Sequence, residues 1–124
     1  MIYLDTHIVV WLYDKQLSRL SEKAVTAIEN NELFISPIVK LELQYLYEIK
    51  RVLATPQQII EELENKLELK ITQTSFSDII ESAISIQWTR DCFDRLIVAE
   101  ALLLQKQLIT KDEKIRANFH LALW

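Results

Sequence analysis

Short apolar segments alternate with longer amphipathic segments along this chain. The short ones read IYLD, LFIS, ELKIT, QLIT and LALW, and each has the length and composition of a buried β-strand. The segments between them repeat apolar residues at helical spacing, as in LSEKAVTAIENN, where Leu20, Ala24 and Ile28 share one side. Strands that alternate with helices form a parallel sheet covered on both faces. We therefore predict an α/β fold, a three-layer α/β/α sandwich with a central, mainly parallel sheet.

Several helix starts are marked by capping residues. Ser36 and Thr55 each precede a proline, which places a cap and a first-turn proline at the start of two helices. SFSD resembles a capping box for a third helix, and TRDCFDRLIVAEA opens a helix that we expect to reach about Lys106. Because the chain has no glycine, helices must end without it, and Asn30-Asn31 is the predicted substitute at one C-terminus.

Length and composition limit the classes of protein to which this chain can belong. The 124 residues fit one domain, residues 1–124, and the net charge of −4 gives no general affinity for nucleic acid. Without glycine the chain has no Walker A loop, no GxGxxG and no GxSxG elbow. The single cysteine, the lack of a long apolar segment and the absence of a recognisable signal peptide lead us to expect a cytoplasmic protein with no membrane segment.

Carboxylates stand where the predicted strands end. Asp5 closes the first strand, and Asp112 comes just after a late strand. Glu42 lies among apolar residues near the start of one predicted helix, and Asp94 lies in the first turn of another. The carboxyl ends of parallel strands meet at one edge of a sheet, which is where ligands bind in such folds. We therefore expect these four side chains to converge, with Asp91 at the rim.

Four neighbouring carboxylates repel one another unless a cation neutralises them. An all-oxygen set suits Mg²⁺ or Mn²⁺ better than zinc, and such an ion activates water and holds a phosphate. The predicted chemistry is metal-assisted phosphodiester hydrolysis. We expect Asp5, Asp94 and Asp112 to be metal ligands, with Asp5 and Asp94 binding directly. Glu42 and Asp112 would complete the set or act through water.

Each acid also has a purely structural explanation. Asp91 and Asp94 fit a helix cap and a first-turn acid, and Asp112 fits the cap of a short helix. Asp5 is compatible with an ordinary strand end, and Glu42 with an ion pair to Arg95. These explanations stay open at the level of sequence, because only the coincidence of four acids at one sheet edge argues for a site.

The segments YLDTHIVVWL, SPIVKLELQYL, RDCFDRLIVAEALLLQKQLITKDEKIR and LALW together resemble the PIN-domain ribonucleases, particularly the VapC-type toxins of bacterial toxin–antitoxin pairs. They occur in the family's order and cover nearly the whole chain. The resemblance implies a PIN-like fold, Mg²⁺ or Mn²⁺ as cofactor, RNA as substrate, a cognate antitoxin as partner, and commonly a homodimer. It assigns the catalytic quartet to Asp5, Glu42, Asp94 and Asp112.

Further residues follow from the same resemblance. Asp91 matches the extra acid of the family's DPFDRL variant, in which Cys92 here replaces the usual proline. Thr6 and Thr110 match positions that hydrogen-bond water or the carboxylates of the site. Arg95 or Lys111 would contact a scissile phosphate, although Arg95 fits the role of a structural partner better.

Two other classes of function compete with a nuclease. A receiver-like signalling module also gathers carboxylates and Mg²⁺ at strand ends, but it requires an acidic pair after the first strand, where this chain has Asp5 followed by Thr6. A non-catalytic α/β binding module would keep the acidic cluster for structure alone. The complete set of acids favours the nuclease over both.

Overall fold

The computed structural model describes all residues, 1–124. Its strands and helices follow the alternation that the sequence predicts, and their bounds are β1 Ile2–Leu4, α1 Thr6–Tyr13, α2 Glu22–Glu29, β2 Leu33–Ile35, α3 Pro37–Glu48, α4 Pro56–Leu67, β3 Lys70–Ile71, α5 Phe76–Ile84, α6 Cys92–Leu103, β4 Leu108–Ile109, α7 Glu113–Asn118 and β5 Ala122–Leu123. A 3₁₀ turn at Leu17–Arg19 is the one helical element that the sequence pattern did not predict.

The five strands form one parallel sheet in the order β3-β2-β1-β4-β5, and helices flank it. The prediction of an α/β/α sandwich is confirmed. Every residue of β1 is fully buried because this strand is central in the sheet and both of its faces are covered. All five carboxyl ends consequently lie at one edge, and the loops after β1, β2 and β4 bring their residues to that edge.

Helix starts behave largely as predicted. Thr55 forms a complete capping box with Gln58. Ser36 directly precedes the first-turn proline of α3, and its side chain accepts a hydrogen bond from the backbone N–H of Ile38. At the third predicted box only the serine half forms, with Ser75 accepting from the backbone of Asp78. These caps satisfy backbone donors that have no partner within the helix.

Helix ends depart from the prediction. Asn30 and Asn31 do follow the end of α2, but their side-chain amides donate to the carbonyls of Thr26 and Ala27, and Asn30 keeps a negative φ of −111°. Left-handed backbone occurs at residues that are neither glycine nor asparagine: Lys15, Lys50, Glu68 and Gln105. The left-handed Gln105 also explains why α6 stops at Leu103 rather than near Lys106.

None of the helices combines the length and the apolar character that a crossing of the membrane requires.

Candidate active site

Asp5 is held at the end of β1 by hydrogen bonds to both of its carboxylate oxygens. It directly follows β1, its backbone N–H donates to the carbonyl of Ile109 in β4 at 3.0 Å, and its side chain is 6% exposed. Its Oδ1 accepts from the backbone N–H of Thr6 at 2.8 Å, and its Oδ2 accepts from the Thr110 hydroxyl at 2.6 Å. Both oxygens are thereby oriented before any ligand arrives.

Glu42 reaches the same place from α3. It is half-buried, and its Oε1 accepts a hydrogen bond from the hydroxyl of Thr6. Thr6 thus contacts Asp5 through its backbone and Glu42 through its side chain. The contacts predicted for Thr6 and Thr110 with site carboxylates are present. Glu42 takes part in no ion pair with Arg95, so that alternative is wrong.

Asp94 and Asp112 join the site from the starts of α6 and α7. The exposed Asp91 caps α6, since its Oδ1 accepts from the backbone N–H of Asp94 at 3.1 Å. The exposed Asp112 caps α7 by accepting from Ile115 at 2.8 Å, and its own N–H donates to the hydroxyl of Thr110. The capping explanation therefore holds for Asp91 and Asp112. It does not account for the half-buried carboxylate of Asp94, which caps no helix.

The acids also lie within electrostatic reach of one another. Burial and then the nearby charges of Asp5, Asp91, Asp112 and Glu42 raise the pKa of Asp94 to about 7. Such a shift means that burial and the neighbouring charges destabilise the ionised form of Asp94. The charges of Asp5, Glu42, Asp91 and Asp112 therefore all act on Asp94, which places these acids near one another.

The pKa values of Asp5 and Glu42 shift in the same direction. Burial raises the pKa of Asp5, against the hydrogen bonds from Thr110 and Thr6 that lower it, and the charge of Asp112 raises it further. Burial likewise raises the pKa of Glu42, where the Thr6 hydroxyl opposes and Asp5 adds to the shift. The cluster thus lacks a compensating positive charge of sufficient strength.

The donor set fits a hard divalent cation. Every candidate ligand is a carboxylate oxygen, and the raised pKa values indicate a site that binding of positive charge would relieve. No three of these side chains are spaced so that they enclose an ion directly. That spacing is compatible with Mg²⁺, which keeps several waters and binds through one or two carboxylates.

The two predicted cationic residues differ in their surroundings. The Nε of Arg95 donates to the carbonyl of Ala83 at 2.9 Å, which ties α6 to α5. Arg95 is in no ion pair with a carboxylate, and its bond to α5 favours a structural role over contact with substrate. Lys111 is exposed and lies between Thr110 and Asp112, with its Nζ 5.8 Å from the ring centroid of Trp11.

Glu100 was missed by the sequence analysis. It is fully buried in α6, and its Oε2 accepts from the hydroxyls of Tyr3 in β1 and Thr72 after β3. Its Oε1 has no hydrogen-bond partner. A glutamate inside the apolar run LIVAEALLL is the same signal that identified Glu42, and it fixes α6, which positions Asp94, to β1, which positions Asp5.

The contact with Glu100 predicts a stability effect. Burial first, and then Glu100 through its hydrogen bond and charge, raise the pKa of the Tyr3 hydroxyl, so it stays protonated and donates. Tyr3→Phe removes this donor from a buried carboxyl group, and we expect unfolding free energy to fall by about 1–3 kcal/mol. Urea titration measures it. Tyr47→Phe, at an exposed tyrosine, is the matched control, and equal stability of the two variants would contradict the assignment.

An apolar groove lies away from the acids. It is bounded by α1, the 3₁₀ turn, α2 and α4, has a volume of about 260 Å³, and is lined mainly by aliphatic side chains such as Leu12, Leu20, Val25 and Leu63. Lys66 and Glu62, which form the one ion pair of the structure, stand at its border.

Comparison with known proteins gives a consistent result. Residues 2–118 match the family described as PIN domain. Ribonuclease VapC22 of Mycobacterium tuberculosis is 32% identical over 123 aligned residues, which cover 96% of this chain and 92% of the relative.

Solved structures show the same fold at lower identity. A toxin-antitoxin complex from Klebsiella pneumoniae aligns with a TM-score of 0.70 and 22% identity over 100% of this chain and 97% of that one. VapBC2 from Rickettsia felis, bound to a DNA fragment from its promoter, aligns with a TM-score of 0.65 and 24% identity over 100% and 98% of the two chains.

Proposed function

Since this chain belongs to the PIN domain family, we propose that it is a metal-dependent ribonuclease that hydrolyses phosphodiester bonds of RNA. The observation that carries the proposal is the mutual proximity of Asp5, Glu42, Asp94 and Asp112: burial, and then the charges of the neighbouring acids, raise the pKa of Asp94 to about 7. Capping does not account for Glu42 or Asp94, since neither caps its helix, and placing a carboxylate in a partly buried position costs free energy.

Each residue of the site has a separate proposed role. Asp5 and Asp94 would hold Mg²⁺ or Mn²⁺ directly, and Asp112 would join them as a ligand or through water. The ion would supply a Lewis acid for the phosphate and lower the pKa of water. Glu42 would orient the attacking water, since Thr6 fixes only one of its two oxygens. Thr110 and Thr6 keep the Asp5 oxygens in place, so the site is formed before substrate binds.

Two protein partners complete the proposal. The groove bounded by α1, α2 and α4 offers apolar area for a cognate antitoxin, and the solved structures that share this fold include toxin-antitoxin complexes. Exposed apolar side chains on α3 and α5, among them Leu41, Phe76 and Ile84, suit a homodimer, because a monomer seldom exposes several large apolar residues together. The proposed role is the toxin of a toxin–antitoxin pair.

A cleavage assay tests the proposal. The purified protein is first sized by light scattering, where a homodimer gives twice the chain mass of 14.6 kDa and a monomer rejects that part of the proposal. Single-stranded RNA is then incubated with it in Mg²⁺, in Mn²⁺ and in EDTA. We expect cleavage with either ion, none in EDTA, and inhibition by the antitoxin from the adjacent gene. Undiminished cleavage in EDTA would reject the metal-dependent mechanism.

A further inference from the structure

An aromatic and cationic cluster lies beside the acidic site, and Lys111 is its one member that the sequence analysis assigned to substrate. Its centre is the half-buried Trp11 of α1, whose ring centroid lies 6.2 Å from that of His7 and 6.3 Å from that of Trp124. The Cζ of Arg19 is 5.7 Å from the same centroid, and the Nζ of Lys111 is 5.8 Å from it. We call these five residues the Trp11 cluster.

The Trp11 cluster begins at the acidic site and extends away from it. Lys111 separates Thr110, which binds Asp5, from Asp112, and His7 is close enough that its charge lowers the pKa values of Asp5 and Glu42. Arg19 comes from the 3₁₀ turn that follows α1, beyond Trp11. The two strong cations therefore come from different segments, one beside Asp112 and one after α1, and both lie against the indole of Trp11.

These cations are oriented but not neutralised. The one ion pair in the structure joins Lys66 to Glu62, so Arg19 and Lys111 have no carboxylate partner even though the chain carries a net charge of −4. Both are exposed, and a cation–π contact at an exposed position contributes about 0.5–1 kcal/mol. That is enough to bias a flexible side chain toward one direction without using its hydrogen-bond donors, which remain available for another group.

The chemistry of the donors identifies that group. A guanidinium and an ammonium bind phosphate oxygens by charge-assisted hydrogen bonds. Because both cations already lie against the Trp11 ring, the cluster is better suited to phosphates than to a stacked base. Contacts to phosphate position a nucleic acid without reading its sequence.

We propose that Trp11 holds Arg19 and Lys111 as a phosphate-binding track, over which an RNA strand runs from the acidic site along α1. Arg19 and Lys111 contact backbone phosphates that flank the scissile bond, and Trp11 is a positioning residue that acts through them. This inference rests on the proposed ribonuclease function and adds to it where the substrate lies.

The salt dependence of RNA binding tests the track. Binding of a fluorescein-labelled single-stranded RNA is measured in Mg²⁺ over a range of KCl, in an Asp94→Asn background that blocks cleavage. Each lost phosphate contact lowers the slope of log K against log salt by roughly 0.7 for a single strand. We expect Arg19→Gln with Lys111→Gln to lower the slope by about 1.4. The matched control, Lys50→Gln with Arg51→Gln beyond the end of α3, removes the same charge and should leave the slope unchanged.

Two Trp11 variants separate positioning from packing. Trp11→Phe keeps an aromatic face, so the slope of log K against log salt should stay close to that of the unchanged Trp11. Trp11→Leu should lower this slope although Arg19 and Lys111 are still present. In cleavage assays, where Asp94 is kept, the Arg19→Gln and Lys111→Gln double variant should raise KM far more than it lowers kcat.

The outcomes distinguish the two proposals. The phosphate-binding track is overturned if the Arg19 and Lys111 double variant has the same salt slope as the Lys50 and Arg51 control. The nuclease assignment then stays intact, provided that the unchanged protein cleaves RNA. A protein that does not cleave RNA with either metal overturns the proposed function itself. Because Arg19 and Lys111 are exposed, the double variant is expected to fold even if Trp11→Leu does not.

Discussion

Asp94→Asn is expected to lower RNA cleavage by roughly 10³-fold or more, since a metal ion contributes several kcal/mol to stabilising the transition state. The substitution keeps the size of the side chain and removes the charge that would bind the ion directly. The backbone N–H of Asp94 still donates to Asp91, so the cap of α6 stays in place. The measurement is the initial rate of cleavage of single-stranded RNA at saturating Mg²⁺ and at saturating Mn²⁺.

Asp78→Asn is the matched control for this loss. Asp78 occupies the same first-turn position of α5 that Asp94 occupies in α6, and its backbone N–H is likewise bonded to the capping side chain, Ser75. It lies outside the acidic site, so we expect cleavage to be unchanged. Equal activity of Asp94→Asn and Asp78→Asn would show that Asp94 serves the helix terminus and not catalysis.

The metal-free protein is expected to lose stability relative to Asp94→Asn as the pH rises from about 4 to about 7. The pKa of Asp94 is raised from 3.8 to about 7 by burial and by the neighbouring carboxylates. Between these values the unfolded chain has released the proton and the folded chain still binds it, so folding is favoured at low pH and less favoured as the pH rises. Burial raises the pKa values of Asp5 and Glu42 as well, but both acids are present in Asp94→Asn, so the comparison isolates the contribution of Asp94.

The size of this effect is limited by solvent. Asp94 is only partly buried, so its shift is discounted for screening, and we expect a change of about 1–2 kcal/mol over the interval. Urea titrations of the unchanged protein and of Asp94→Asn in EDTA, at pH 4, 5, 6 and 7, give the difference directly. A difference that stays constant over this range would contradict the assigned electrostatics.

A bound divalent metal ion should offset the loss of stability that Asp94 causes as the pH rises. An ion that binds the folded protein alone stabilises it by about 2.7 kcal/mol at a hundredfold excess over its dissociation constant. We expect Mg²⁺ or Mn²⁺ to raise the stability of the unchanged protein at pH 7 and to have much less effect on Asp94→Asn. Ca²⁺-free EDTA solutions provide the reference, and equal stabilisation of both proteins would place the ion elsewhere.

The sequence predicted most of the elements because their signals are local. A strand such as IYLD is recognised from its own apolar residues, and a helix start such as Thr55-Pro56 from a cap and a fixed φ. Helix ends were predicted less well. The left-handed residues Lys15, Lys50, Glu68 and Gln105 carry no local preference for that conformation, so packing of the following segment decides where the helix stops.

The candidate acids were recognised from the sequence in the same way, since a carboxylate at a strand end or in an apolar helix face is unusual. What the sequence left open was whether they act as caps or as a site. In the structure both Asp91 and Asp112 are caps, and because a capping bond uses one carboxylate oxygen and leaves the other unengaged, capping does not exclude the proposed site.

The sequence by itself determined the order of strands and helices, their capped starts, and the identity of the acids. Only the tertiary structure decided that Thr6 joins Asp5 to Glu42, that Thr110 orients Asp5, and that Arg95 is bound to α5. It also revealed Glu100 and the cations around Trp11. The physical reason is range: backbone preferences act over a few residues, whereas hydrogen bonds and charges join residues about a hundred positions apart, as between Tyr3 and Glu100.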